Sequence, residues 1–141
     1  MTEKLITTEI VNSLKAHGWA YKIPDAPSRF APEKPCDILA SINGNIVAIE
    51  VKLIKKWQSF GMRAMRPSQI KHLTLIKKSG GMAFVFLNLR MKGVNKLFIF
   101  EWESFRMRAL PFSIKDLQAR PAFPGAKKTF DLKEFCQVVS L

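Results

Sequence analysis

The dipeptide Asn43-Gly44 constrains the fold of this chain more than any other feature of its sequence. It separates two runs, residues 37–42 and 46–53, in which apolar side chains recur at every second position. Asn-Gly between such runs is the strongest short-range signal for a two-residue β-hairpin, because both residues tolerate the positive φ that the turn demands. We therefore predict an antiparallel hairpin over these residues.

The alternation gives the predicted hairpin two different faces. If Asn43 and Gly44 are the central turn residues, Ile42 pairs with Asn45, and Asp37 falls opposite Glu50 with Cβ atoms roughly 5 Å apart. One face is apolar and should be buried, which fixes the register: it carries Ile38, Ala40, Ile42, Val47, Ile49 and Val51. The other face carries Asp37, Leu39, Ser41, Ile46, Ala48, Glu50 and Lys52.

Two facing carboxylates are unfavourable unless a positive charge lies between them. A divalent cation with oxygen ligands meets that need, and magnesium commonly uses only one or two carboxylates together with water and substrate phosphate. Lys52 points the same way as Glu50, where an ammonium group can hold or deprotonate an attacking water or stabilise charge on a phosphate. Asp37, Glu50 and Lys52 are therefore the candidate catalytic residues.

The hairpin alone leaves a simpler interpretation open. A Glu-x-Lys sequence on a strand is often a solvated ion pair that contributes little. A turn centred one residue later, on Gly44-Asn45, would place Asp37 opposite Lys52 and form an ordinary cross-strand salt bridge.

The remaining pattern predicts an α/β domain with a mixed sheet, spanning residues 1–141 as one unit. Gly18 and Gly80 stand where helix-ending glycines are expected, and the proline-rich residues 24–35 read as an ordered loop. We predict helices over residues 3–17, 67–79 and, more weakly, 113–119. We predict further strands over residues 19–23, 82–89 and 96–102, and residues 130–139 fit either a helix or a strand.

The charge balance indicates a polyanionic partner. The chain has 23 Lys and Arg against 11 Asp and Glu, a formal net charge of +12, which favours nucleic acid although acidic membranes and acidic proteins also bind basic proteins. The longest apolar run, residues 82–87, is too short to span a bilayer, and no secretion signal is visible. Cys36 and Cys136 are interpreted as reduced thiols, so we expect a cytoplasmic protein without a membrane partner.

Residues 51–100 contain no Asp or Glu but eleven Lys and Arg. A stretch whose charged residues are all positive should attract phosphate groups to the candidate site beside it. Trp57 and Phe60 are interleaved with it and are candidates to contact a sugar or a base. The alternative is a solvated charged surface above buried aromatic side chains. The candidate DNA-binding residues are Lys55, Lys56, Arg63, Arg66 and Lys71.

The sequence resembles a known superfamily at these positions. Pro35-Cys36-Asp37, twelve residues, and Glu50-Val51-Lys52 resemble the motif of the PD-(D/E)xK nucleases. Gln58-Ser59-Phe60, the run at residues 68–73 (Ser-Gln-Ile-Lys-His-Leu) and the Gly-Gly-Met-Ala-Phe-Val run at 80–85 resemble RecU-type Holliday junction resolvases. The resemblance covers about residues 35–102.

The resemblance implies a restriction-endonuclease-like fold, a mixed β-sheet flanked by helices, and hydrolysis of DNA at four-way junctions. It implies that Asp37 and Glu50 bind Mg²⁺, with Mn²⁺ as a substitute, that Gln69 completes the metal environment and that Lys52 is the catalytic lysine. A homodimer is expected, because resolution needs two symmetric nicks. The rival interpretations are another nuclease of the superfamily, of nicking, repair or restriction type, and a non-catalytic basic DNA-binding module.

Two departures from the family pattern stand out. The long stalk that the family inserts into the junction has no counterpart except residues 24–35. Compact archaeal-type resolvases add an acid in the first helix, where this chain has Thr7. Glu3 lies one turn earlier on the same face and is the candidate substitute, whereas Glu9 lies off that face and is expected to be solvated. The compact size fits a phage or mobile-element origin.

Overall fold

A six-stranded sheet in the order β1-β2-β3-β4-β5-β6 forms the centre of the molecule. The structure, a computed structural model, describes residues 1–139. Among the strands of residues 1–139, β3 and β4 pair in parallel and the other neighbouring pairs are antiparallel, so the sheet is mixed, and the predicted α/β class with flanking helices is confirmed. The elements are α1 (Glu3–Leu14), β1 (Trp19–Lys22), β2 (Ile38–Ile42), β3 (Asn45–Ile54), α2 (Pro67–Lys78), β4 (Met82–Met91), β5 (Val94–Glu101), α3 (Trp102–Met107), α4 (Ile114–Ala119), β6 (Phe123–Pro124) and α5 (Lys133–Val139), with a 3₁₀ turn at Met62–Ala64.

The β2–β3 hairpin has the predicted register. Asn43 and Gly44 have φ angles of 51° and 83°, the positive values that a tight hairpin turn requires at both central positions. Pairing runs from Ile42 with Asn45 to Ile38 with Ile49. The alternative turn, which would pair Asp37 with Lys52, is therefore excluded.

Most of β3 is covered on both faces, but by different elements. The predicted apolar face is buried in a core that α1 and α5 complete. On the opposite face, Ala48 packs into a second core with Leu73 of α2 and Trp102 of α3. Because β3 has a core on either side, Glu50 and Lys52 lie within the protein and not on an open sheet surface.

The prediction that Gly18 ends the first helix is wrong. Helix α1 ends at Leu14 with Lys15 as its C-cap, and Gly18 has no positive φ. A Cβ atom at Gly18 would lie 2.5 Å from the carbonyl oxygen of Ser41. The residue is glycine because the chain passes close to β2, whereas Gly80, with φ 99°, does follow α2 as predicted.

The predicted strand over residues 96–102 is shifted towards the N-terminus. Strand β5 starts at Val94 and ends at Glu101, because the Glu101 carboxylate accepts the Ser104 N–H at 2.8 Å and starts α3. The ambiguous segment at residues 130–139 contains helix α5. Both cysteines are buried thiols, and burial raises the pKa of the Cys36 thiol to about 12. Within residues 1–139, no helix combines the length and the apolar character needed to cross a bilayer.

Candidate active site

Asp37 and Glu50 lie side by side at the edge of a cleft of about 750 Å³. Asp37 immediately precedes β2, and its N–H donates to the Ile49 carbonyl at 3.1 Å. Its carboxylate oxygen Oδ2 accepts the Val51 N–H at 2.9 Å. The hairpin backbone therefore fixes the Asp37 side chain next to Glu50, as the predicted register required.

Burial and mutual repulsion separate the pKa values of the two carboxyl groups. Burial, followed by the hydrogen bond and the charge of Asp37, raises the pKa of Glu50 to about 9. Burial also acts to raise the pKa of Asp37. Hydrogen bonds from Glu50, from Lys34 and from the Val51 N–H outweigh it, so the pKa of Asp37 lies below its usual value. At neutral pH the pair therefore shares one proton.

This pair fits a divalent cation. Glu50 is only 3% exposed, and two buried carboxyl groups that must share a proton are ones whose charge a bound cation would stabilise. Their oxygen atoms are the ligands that magnesium and manganese prefer. Residues 1–139 contain no group of three or more His, Cys, Asp and Glu side chains placed to hold a metal, so water, backbone or substrate phosphate would have to complete the coordination.

Gln69 connects Glu50 to Lys52. Its Oε1 accepts the Lys52 ammonium at 3.2 Å and the Arg66 N–H at 2.9 Å, and its Nε2 donates to Glu50 Oε1 at 2.7 Å. Because two hydrogen-bond donors point at this atom of the Gln69 amide, it is the oxygen and not the nitrogen. Gln69 thus lies in the predicted metal environment, but it presents its nitrogen to Glu50, and Oε1 would have to leave both donors to reach a metal.

Lys52 is not part of an ordinary ion pair. Its side chain is 9% exposed, and within residues 1–139 no carboxylate lies within ion-pair distance of it. Its ammonium group is held by Gln69. The solvated Glu-x-Lys pair considered from the sequence is therefore not what the structure contains.

The first helix contributes Glu3 to the same cleft. Glu3 Oε2 accepts the Leu53 N–H at 3.1 Å, and Thr7 Oγ1 donates to the Glu3 carbonyl. The expectation that Glu9 is solvated is wrong: its side chain is 13% exposed and pairs with Arg90 at 2.9 Å. Arg90 lies near the end of β4 and reaches α1, a long-range contact that the helix pattern does not reveal.

Lys34 is a residue of the site that the sequence did not single out. Its Nζ lies 2.8 Å from Asp37 Oδ1 and 2.8 Å from Asp25 Oδ1. The i,i+3 spacing to Asp37 was a possible signal, but the contact with Asp25 depends on the path of residues 24–35, which no periodicity predicts.

The five candidate DNA-binding residues are all exposed: Lys55, Lys56, Arg63, Arg66 and Lys71. Arg66 also lines the active-site cleft. Residues 51–100 contain no acid, but in the folded chain two of their basic side chains contact acids from outside this stretch. Lys77 lies 3.6 Å from Glu101, and Arg90 pairs with Glu9. Arg66 therefore lies at the site itself, together with Lys4, Lys22 and Lys34, whereas Arg63 lines a separate cleft beside Phe112.

The suggestion that Phe60 contacts DNA is wrong. Phe60 is buried in the second core, with its ring 5.8 Å from that of Phe100 and 5.6 Å from that of Phe105. Backbone hydrogen bonds in both directions tie it to Phe112. Trp57 is half-buried with its ring edge-on to Phe98, so these aromatic side chains mainly anchor the loop after β3.

A mixed sheet with Asp37, Glu50 and Lys52 on one hairpin defines the class of the PD-(D/E)xK nucleases. The family profile described as Recombination protein U matches residues 8–115. The chain belongs to this RecU family, and its predicted activity as an endonuclease that resolves Holliday junctions is confirmed by that membership.

Among solved structures, the chain is similar to Hjc, a Holliday junction resolvase from the archaeal hyperthermophile Archaeoglobus fulgidus. The two are 24% identical over 71% of this chain and 75% of that chain, with a TM-score of 0.48. No curated protein matched.

Proposed function

We propose that this chain cuts four-way DNA junctions with Mg²⁺, or Mn²⁺ in its place, held by Asp37 and Glu50. The observation that carries the proposal is the buried carboxylate pair beside Lys52, which opens onto a cleft rimmed by basic side chains. Two acids side by side are unfavourable unless a proton or a cation compensates their charge, and a bound divalent cation would take the place of the shared proton.

Each residue of the site has a distinct proposed role. A bound cation would polarise the phosphodiester and activate water for attack, without a covalent intermediate. Asp37 and Glu50 would hold it, and Glu3 is a candidate further acid at the same cleft. Gln69 would orient Glu50 and Lys52. The Lys52 ammonium would hold the attacking water or stabilise charge growing on the phosphate.

The decisive test compares substrates and metals in one experiment. A labelled four-way junction and a linear duplex of equal length are incubated with Mg²⁺, with Ca²⁺ and with excess chelator. We expect cleavage of the junction with Mg²⁺, binding but little cutting with Ca²⁺, and no cutting in chelator. Equal cutting of the duplex would indicate another nuclease of the superfamily, and full activity in chelator would contradict the metal-dependent mechanism.

The proposed enzyme acts as a homodimer. Trp19 and Tyr21 of the edge strand β1 stack with ring centroids 6.1 Å apart, yet they are 54% and 53% exposed. The pairing register aligns them with Leu39 and Ile46 on the face of the sheet that α2 covers at β3 and β4. We refer to Trp19, Tyr21, Leu39 and Ile46 as the β1 patch.

The partner that fits the β1 patch is a second copy of this chain. Two copies that each carry +12 repel each other, so a contact between them must offset this repulsion by burying apolar surface. The four residues of the patch are uncharged, whereas DNA would favour a charged surface. A two-fold contact through the same patch on both copies would give the two sites that symmetric nicking needs.

The dimer is tested by sedimentation at micromolar concentration. The unmodified chain should sediment at twice the chain mass, and the double variant Trp19→Ser with Tyr21→Ser at the mass of one chain, because it loses the apolar centre of the contact. Leu110→Ser is the matched control, since Leu110 is an exposed apolar residue outside the patch. A monomeric unmodified chain, or a double variant that stays dimeric, would contradict the proposal.

A further inference from the structure

Lys34 occupies the position of a cation at the active site. Its ammonium group lies between Asp37 Oδ1 and Asp25 Oδ1, 2.8 Å from each. We infer that Lys34 is an internal cation that competes with the divalent metal for Asp37 and gives up this contact when the metal binds. The inference rests on the proposed function, because it takes Asp37 to be a metal ligand.

In addition to its hydrogen bond with Glu50, Asp37 meets the backbone and the Lys34 ammonium through different oxygen atoms. Oδ2 accepts the N–H of Val51, whose backbone is fixed in β3. Oδ1 is the atom that Lys34 contacts. A metal can therefore take Oδ1 without disturbing the hairpin, and it would drive the ammonium away, since two cations in contact with one oxygen repel each other strongly.

The surroundings allow Lys34 to leave. The side chain of Asp37 is 15% exposed, that of Lys34 is 28% exposed and that of Asp25 is 72% exposed. Lys34 thus has a second carboxylate on its solvent side, to which it can stay bound after it leaves Asp37. Asp25 and Lys34 lie near opposite ends of the loop at residues 24–35, so this pair would keep the base of the loop closed after the exchange.

The direct contact with Asp37 distinguishes Lys34 from Lys22, another lysine of the cleft. Lys22 lines the same cleft, but its Nζ donates to the Lys4 carbonyl and to Thr8 Oγ1. Lys22 therefore contributes to the field of the cleft without touching Asp37. Comparison of the two lysines separates direct competition from a general electrostatic effect.

The test measures metal affinity in the absence of DNA. Mg²⁺ and Mn²⁺ are titrated calorimetrically into the full chain and into Lys34→Gln, Lys34→Arg and Lys22→Gln at one pH. Lys34→Gln should bind metal about tenfold more tightly, on the scale of one charge-assisted hydrogen bond. Lys34→Arg, which keeps the charge, and Lys22→Gln should stay within about twofold of the unmodified chain.

Three results would overturn the inference. Unchanged affinity in Lys34→Gln would mean that the ammonium does not compete, and weaker affinity would mean that it holds Asp37 in place for the metal. If Lys22→Gln increased metal affinity by the same factor, the effect would come from the overall electrostatic field of the cleft and not from the contact with Asp37. Circular dichroism and thermal melting establish that each variant is folded. If any of these results is found and the unmodified chain still cuts junctions with metal, only the proposed role of Lys34 is wrong. An unmodified chain that neither binds metal nor cuts would contradict the proposed function itself.

Discussion

Asp37→Asn and Glu50→Gln should each abolish cleavage of a four-way junction, a loss of at least about 10³-fold in rate. Each substitution keeps the size of the side chain and removes a charged oxygen ligand. Junction binding should tighten in Asp37→Asn, because a negative charge facing the phosphates is lost, and it should persist in Glu50→Gln, because the raised pKa of Glu50 keeps this carboxyl protonated at neutral pH. Single-turnover cleavage measures the rate, and fluorescence anisotropy with Ca²⁺ measures binding. Glu134→Gln, which removes an exposed acid on α5, is the control for net charge and should cut normally.

The raised pKa of Glu50, about 9, adds a second signature to this prediction. Metal and proton compete for Glu50, so the metal affinity of the unmodified chain should rise with pH up to about 9 and then level. Glu50→Gln has no such proton, and its residual affinity should be flat in the same range. Rapid cutting by a folded Asp37→Asn or Glu50→Gln variant, or a flat profile for the unmodified chain, would remove these residues from the metal site.

Lys52→Ala should slow cleavage by about 10²-fold or more, the effect expected when a positioned group that stabilises charge or handles a proton is lost. Metal affinity should survive, since Lys52 is not a ligand. Lys52→Met preserves most of the buried volume and should be equally slow, which separates charge from packing. Lys115→Ala removes an exposed lysine on α4 and is the control.

The rate of Lys52→Ala is best measured under single-turnover conditions at saturating Mg²⁺, with the fold checked by thermal melting. A folded variant that cuts as fast as the unmodified chain would make Lys52 a structural residue held by Gln69. A slow Lys52→Ala together with a fast Lys52→Met would trace the loss to packing instead of charge.

The hairpin could be predicted because two independent physical signals agree there. Asn43-Gly44 fixes the turn, and burial of every second residue fixes the register, so the neighbourhood of Asp37 and Glu50 follows from the sequence alone. The position of Gln69 was identified only through the family resemblance. Its link between Glu50 and Lys52 depends on how α2 packs on the sheet, which a single sequence does not specify.

The errors come from contacts that are distant in sequence. Glu9 and Arg90 are 81 residues apart in the sequence, and no local sequence pattern predicts that they form an ion pair. Phe60 looked accessible because it stands among lysines, but its partners Phe100 and Phe105 lie about forty positions further on. The path of residues 24–35, which brings Lys34 to Asp37, is set by tertiary contacts and not by any repeating pattern.

Because β3 is buried on both faces, a change that disrupts its register affects the core and the candidate active site together. Insertion of one residue into β2 or β3 would move the apolar side chains and the site residues beyond it to the opposite faces of the sheet, since neighbouring positions point to opposite faces. Such a chain would lose its core and the arrangement of its proposed catalytic groups in the same event. The exposed loops around the cleft have no such constraint. A substitution in those loops can therefore alter contacts with DNA without disturbing the core, whereas a register shift in β3 cannot.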